Sequence, residues 1–122
     1  MAYTADANKK FQKELNSGTA ALVLLSILAR ADEPMYGYRI AKFMEVDDEN
    51  VPMMKQGALY PVLRSMEGSG LLESHVDPSV SGPPRRYYKI TKSGLETLKS
   101  WTKIWSQTKA FVDGILKGKA DV

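Results

Sequence analysis

A chain of 122 residues, 43% hydrophobic and 25% charged, is the material of one ordinary globular domain. It holds no cysteine and a single histidine, His75. That excludes disulfides, thiolate metal sites and cysteine nucleophiles, and leaves a His-based triad or metal site without partners. The net charge of +3 is unevenly spread: positions 31–50 hold six acids against two bases, while 79–92 hold Arg85, Arg86, Lys89 and Lys92 without an acid.

In chain order, residues 1–18 read as an N-terminal arm, with a short helical piece at 9–15. Asn16-Ser17-Gly18-Thr19 then punctuates, and Ser17 or Thr19 can cap the next helix. The first full helix is expected over 19–30. It is apolar on nearly every face, which calls for burial all round and points to cover from a second chain. Its apolar run is about half of the roughly 20 residues a membrane span needs. The start of the chain lacks a signal-peptide layout, because Lys9, Lys10, Lys13 and Glu14 precede the apolar stretch. A cytoplasmic location is expected, with no membrane partner.

Asp32-Glu33-Pro34 ends that helix. A second helix is expected over 36–45, with Tyr38, Ile40, Ala41 and Met44 as its inward set. The acidic run 47–49 reads as a solvated turn, since it lacks the alternating ligands of a calcium loop. Met53 and Met54 fill space beside the third helix, 56–67, where Leu59, Val62, Leu63 and Met66 recur at three- and four-residue spacing. Gly68-Ser69-Gly70 stops it as a glycine C-cap. Two strands are expected at 71–76 and 85–90, joined by a tip rich in proline and glycine. In the second, Arg86, Tyr88 and Ile90 share one face and Arg85, Tyr87 and Lys89 the other.

Thr91 is suited to N-cap a last helix over 92–117. At about 1.5 Å per residue this is a rod near 38 Å, longer than so small a domain is wide. Leu98, Trp101, Trp105, Thr108, Val112 and Ile115 form a 3,4,3,4,3 seam, which Ile104, Phe111 and Leu116 widen. Such a seam calls for a partner helix, so Leu98, Ile104, Phe111, Val112 and Ile115 are expected to dimerise the chain.

The order helix, helix, helix, hairpin, helix describes a mainly α fold with a small β-hairpin. It is a winged helix-turn-helix over 19–91 carrying a long C-terminal dimerisation helix and tail over 92–122. Such a module puts its third helix in the major groove and its basic hairpin against phosphates or the minor groove. The partner so implied is double-stranded DNA. Lys55 and Gln56, at the start of that helix, are placed to read guanine and adenine edges. Arg64 lies one turn beyond Tyr60, on the same face, and is suited to phosphate. Arg85 and Arg86 point to opposite faces, so one is expected to meet DNA while the other packs against Tyr60, Tyr87 or an acid of the second helix. Lys89 shares the Arg85 face and favours Arg85 as the outward one. His75 reads as a surface residue. No nucleophile–base pair or metal set is present, so no enzyme, catalytic residue, metal or cofactor is expected. The competing reading is a winged-helix protein-interaction module that does not bind DNA.

Three stretches carry a resemblance. They are Met35-Tyr36-Gly37-Tyr38-Arg39-Ile40, then Gly57-Ala58-Leu59-Tyr60-Pro61-Val62-Leu63 running to Gly70-Leu71-Leu72-Glu73, then Gly82-Pro83-Pro84-Arg85-Arg86-Tyr87-Tyr88-Lys89-Ile90-Thr91. Together they resemble the PadR family of transcriptional regulators, in its compact branch with one C-terminal helix. The resemblance implies a homodimeric winged-helix regulator, usually a repressor, released by a small effector. It implies a backbone contact for Tyr60, against the alternative of core packing. In ligand-responsive members a tryptophan on the last helix faces across the dimer and stacks on flat aromatic ligands. Trp101 aligns best with that position, Trp105 is the other candidate, and Leu22 would line the same cavity. A planar aromatic or phenolic effector is the expectation, with a plain dimer core as the alternative. One departure stands out: Ala58 occupies a position commonly Ser or Thr in the family, so no hydroxyl is available there to cap the helix or hold a phosphate.

Overall fold

The computed structural model describes residues 2–44, 56–78 and 82–118, with side chains from residue 5 onward and, in the second stretch, from 57. The elements run α1 (Ala2–Arg30), β1 (Met35–Tyr36), α2 (Gly37–Phe43), α3 (Gln56–Gly68), β2 (Leu72–Asp77), β3 (Arg85–Ile90) and α4 (Lys92–Leu116). Helices, hairpin and long final helix therefore come in the expected order. The acidic run 47–49, Met53, Met54 and Lys55 lie outside the described residues, as does the wing tip at 79–81.

The turn expected at 16–19 is absent, because α1 runs unbroken for 29 residues. The polar side chains that could cap a new helix are used along the existing one. Gln12 Nε2 donates to Asn16 Oδ1 at 2.7 Å, and Thr19 Oγ1 donates to the Leu15 carbonyl at 2.9 Å. The core anchors the C-terminal half of α1, where Leu24 and Leu25 are fully buried and Ala20 and Leu28 nearly so. Gly18 costs a helix interior only about 1 kcal/mol relative to alanine. The anchored helix can absorb that.

Ile40, Ala41 and Met44 of the second helix turn inward as expected, but Tyr38 does not; it is half exposed and stacks beside Tyr36. Leu59, Leu63 and Met66 of α3 are buried, and Val62 packs half-buried against them. After α3 the chain reverses through a Schellman turn. The Leu71 amide bonds the Met66 carbonyl at 2.9 Å and the Gly70 amide bonds the Glu67 carbonyl at 3.0 Å. Gly70 sits between them at φ +81°, a conformation that a side chain disfavours.

The sheet has three antiparallel strands in the order β1-β3-β2. Its first strand is two residues long, too short for periodicity to signal. The register sets Ser74 and Met35 beside Tyr88, and His75 and Tyr36 beside Tyr87. Buried Met35, Leu72 and Tyr88 show which face meets the helices. Thr91 then caps α4, accepting from the Gly94 amide at 2.9 Å. Its hydroxyl donates to the Gly70 carbonyl at 2.7 Å, and its amide bonds the Leu71 carbonyl. The start of α4 is thereby tied to the turn that ends α3.

Candidate nucleic-acid interface

The outward face of α3 is set by its buried one. With Leu59, Leu63 and Met66 inside, Gly57, Ala58, Pro61, Arg64 and Ser65 face solvent. Gln56 opens the helix. Among the described outward side chains of this helix, Arg64 and Ser65 are the hydrogen-bond donors, and Ala58 contributes none. Pro61 sits on the exposed face inside the helix, where it removes an amide without burying an unpaired group. Tyr60 is half-buried against the core. Its ring presses on the start of α2 so closely that a Cβ at Gly37 would lie 2.7 Å from Tyr60 Cε1. A glycine is what lets the two helices of this turn meet there.

The wing separates its two arginines as the alternation predicts. Arg86, on the core side, donates from Nη1 to Ser74 Oγ at 2.9 Å, and Ser74 in turn donates to Glu67 Oε2 at 2.6 Å. A hydrogen-bonded chain thus joins β3, β2 and the last turn of α3. Its acid comes from α3, where Tyr60, Tyr87 or an acid of the second helix was expected. Beside it, burial raises the Tyr88 hydroxyl above its ordinary pKa of 10.0, with Arg86 pulling the other way and Glu67 adding to the rise. The phenol stays neutral at physiological pH.

Arg85, on the opposite face, lies with its guanidinium carbon 4.6 Å from the Tyr36 ring centroid. Lys89 is exposed on the same face. Their cross-strand neighbours are Asp77 and Glu73, yet among the described residues neither basic side chain closes an ion pair with them. His75 is a surface residue as expected, 3.6 Å from Asp77 and stacked on Tyr87 at 5.6 Å. Sequence reasoning missed Tyr36, Tyr38, Tyr87 and Lys42 as a group. The Tyr38/Lys42 spacing of four was visible, but the pairing of β1 that brings Tyr36 to Arg85 was not.

A second feature lies between α1 and α4. A cleft of about 530 Å³ is lined by Leu15, Leu22, Val23, Ile27, Arg30 and Trp105, among others. Leu22 and Trp105 both line it. Trp101 is elsewhere, half-buried against the core, although the family resemblance favoured it for a ligand. Leu98 also packs on the core of its own chain, so it serves the fold before any partner. Ile104, Phe111, Val112 and Ile115 are exposed, Phe111 by 70%. Among the described residues no group of His, Cys, Asp or Glu is arranged to hold a metal ion, and no helix is long and apolar enough to cross a membrane.

Comparison with known proteins points the same way. The profile of the Transcriptional regulator PadR-like family matches residues 24–100. The crystal structure of a PadR family transcriptional regulator from Eggerthella lenta is similar over 95% of this chain and 97% of that one, with a TM-score of 0.81 and 33% identity. A PadR family transcription regulator from Clostridium difficile R20291 gives a TM-score of 0.66 at 29% identity, over 80% of this chain and 98% of that one. In sequence, an uncharacterized protein from Lysinibacillus sphaericus is 27% identical over 96 residues, 79% of this chain and 86% of that protein.

Proposed function

Because the chain belongs to the PadR-like family of transcriptional regulators, DNA-binding proteins and not enzymes, we propose that it acts as a homodimeric repressor on a near-palindromic operator. One observation carries the reading: after the body has closed its own core, α4 still presents Ile104, Phe111, Val112 and Ile115 to solvent. A helical seam of that kind is stable when a second copy covers it. Dimerisation places two α3 helices about one DNA turn, ~34 Å, apart on successive major grooves.

In this reading the start of α3, its outward face and the wing bind the operator. Gln56 and Lys55 read base edges, Arg64 meets phosphate, and Tyr60 both holds α3 against α2 and offers its hydroxyl to the backbone. The bond network supports a division of labour in the wing. Arg86 braces the hairpin through Ser74 and Glu67, while Arg85 and Lys89 engage phosphates from the other face. The functional units are 1–18 as an arm, 19–91 as the DNA reader and 92–122 as the dimerisation segment, although α1 passes through the first boundary without a break. The cleft at Leu22 and Trp105 has a volume in the usual range for small-molecule sites, and a planar aromatic or phenolic effector there would shift the dimer between DNA-competent and incompetent forms.

Footprinting on the gene's own promoter region tests the assignment. Protection of an inverted repeat, lost at high salt, is the expected result; absence of protection on any duplex overturns it in favour of a protein-interaction module. Quenching of the tryptophan emission by a planar phenolic compound, with release of DNA, tests the effector. Unquenched emission with DNA binding intact removes it.

A further inference from the structure

The face of the sheet turned away from the core carries a row of rings and cations of which the operator-binding reading uses only Arg85. Arg85 and Tyr36 meet because the register makes them diagonal neighbours: Tyr36 pairs with Tyr87, two residues beyond Arg85 on the same face. Tyr36 and Tyr38 lie 6.3 Å apart and 20° from parallel. One helical turn past Tyr38, Lys42 Nζ stands 5.3 Å from its ring centroid. From behind, Tyr87 tilts against Tyr36 at 5.7 Å.

The sequence of contacts is therefore Arg85, Tyr36, Tyr38, Lys42, running from the wing to α2. A guanidinium resting on a ring face keeps its rim of N–H donors free, and an ammonium keeps its three. Neither cation has a carboxylate partner among the described residues. Tyr36 is half-buried and already flanked by Arg85, Tyr38 and Tyr87, so the row offers cation edges rather than an open ring for a base. Two cations fixed by aromatic supports, with their donors unused, suit a run of phosphodiester oxygens.

We propose that Tyr36 and Tyr38 are positioning residues for DNA binding, holding Arg85 and Lys42 as a two-point phosphate clamp that joins the wing to α2. The clamp rests on the operator-binding reading and adds a grip outside the recognition helix. Its contribution is preorganisation, since ordering a long side chain on binding weakens affinity by a few-fold.

The test measures affinity against salt for the full chain on two duplexes, one from its own promoter region and one unrelated. Tyr36→Leu should weaken both by about two- to tenfold and leave the salt slope unchanged, because both charges remain. Tyr36→Phe, which keeps the ring, should restore wild-type binding. Arg85→Ala should lower the slope by about 0.9, and adding Tyr36→Leu to it should cost little more. Tyr38→Leu, at a half-exposed position, makes the same test through Lys42 if Tyr36→Leu folds poorly. Wild-type affinity in both leucine variants, or losses from Tyr36→Leu and Arg85→Ala that simply add, overturns the clamp alone. A wild-type protein that binds neither duplex overturns the DNA reading itself.

Discussion

The two halves of α4 both carry apolar side chains, more of them in the second, and have opposite surroundings. Near its start, Gly94 is buried and Leu98 and Trp101 pack half-buried on the core. Further on, Ile104, Phe111, Val112, Ile115 and Leu116 are exposed, Leu116 by 78%. The first end thus serves folding, where its own chain supplies the cover, and the second is the end that the proposed dimer would cover. A substitution should therefore move stability at one end and association at the other.

The largest expected effect breaks assembly and spares the fold. Phe111→Asp with Ile115→Asp removes two apolar side chains, each worth about 1.5–3 kcal/mol when buried, and should raise the dimer dissociation constant more than a hundredfold in sedimentation equilibrium. Helix content should be retained; a fold that collapses with the dimer would place both ends of α4 in one cooperative unit. Next, Leu63→Ala in the closed body should cost about 2–5 kcal/mol in denaturant unfolding, the usual range for a buried leucine. A loss under about 1 kcal/mol would mean that the body is looser than its burial suggests. Thr91→Ala removes the cap at the junction of body and rod and should cost about 0.5–2 kcal/mol, read as a lower Tm.

The smallest effect is alkaline. Tyr88 has its pKa raised above 10.0 by burial, so the native state favours the neutral phenol. The resulting loss of stability is absent below about pH 10, where the phenol is neutral in both states, and grows as pH rises from the unfolded value towards the higher native one. The unfolded chain then ionises first, so desolvation of the phenolate destabilises the native state on the alkaline side. Tyr88→Phe should flatten the alkaline side of the stability profile, and an unchanged profile would show that Tyr88 is not desolvated.

How much the sequence disclosed depends on the range of the forces involved. The inward sets of α3 and β3, the Gly70 stop and the Thr91 cap are all local patterns, readable at spacings of two to four. The unbroken α1 was hidden because Asn16, Gly18 and Thr19 look like a turn until tertiary burial of Leu24 and Leu25 outweighs them. Tyr38 reads as an inward residue by period alone, and only the position of Tyr36 in β1 explains why it turns out. In the candidate site, the opposite facing of Arg85 and Arg86 comes from strand alternation. The partners Ser74, Glu67 and Tyr36 do not, because they come from three other elements whose register no local pattern encodes. Trp101 and Trp105 share a helical face in sequence terms, and only the packing of α1 against α4 separates the half-buried one on the core from the one on the cleft.

The knot at Thr91 has a mechanical meaning. Its hydroxyl and amide fasten the root of α4 to the Gly70–Leu71 turn, which is itself the end of α3. The long helix is consequently a lever with its fulcrum at the end of α3. Over the 25 residues of α4, a tilt of about 10° at that fulcrum sweeps the far end through roughly 6–7 Å at 1.5 Å rise per residue. Run in reverse, a modest displacement of the far end becomes a small rotation of the body that holds α3.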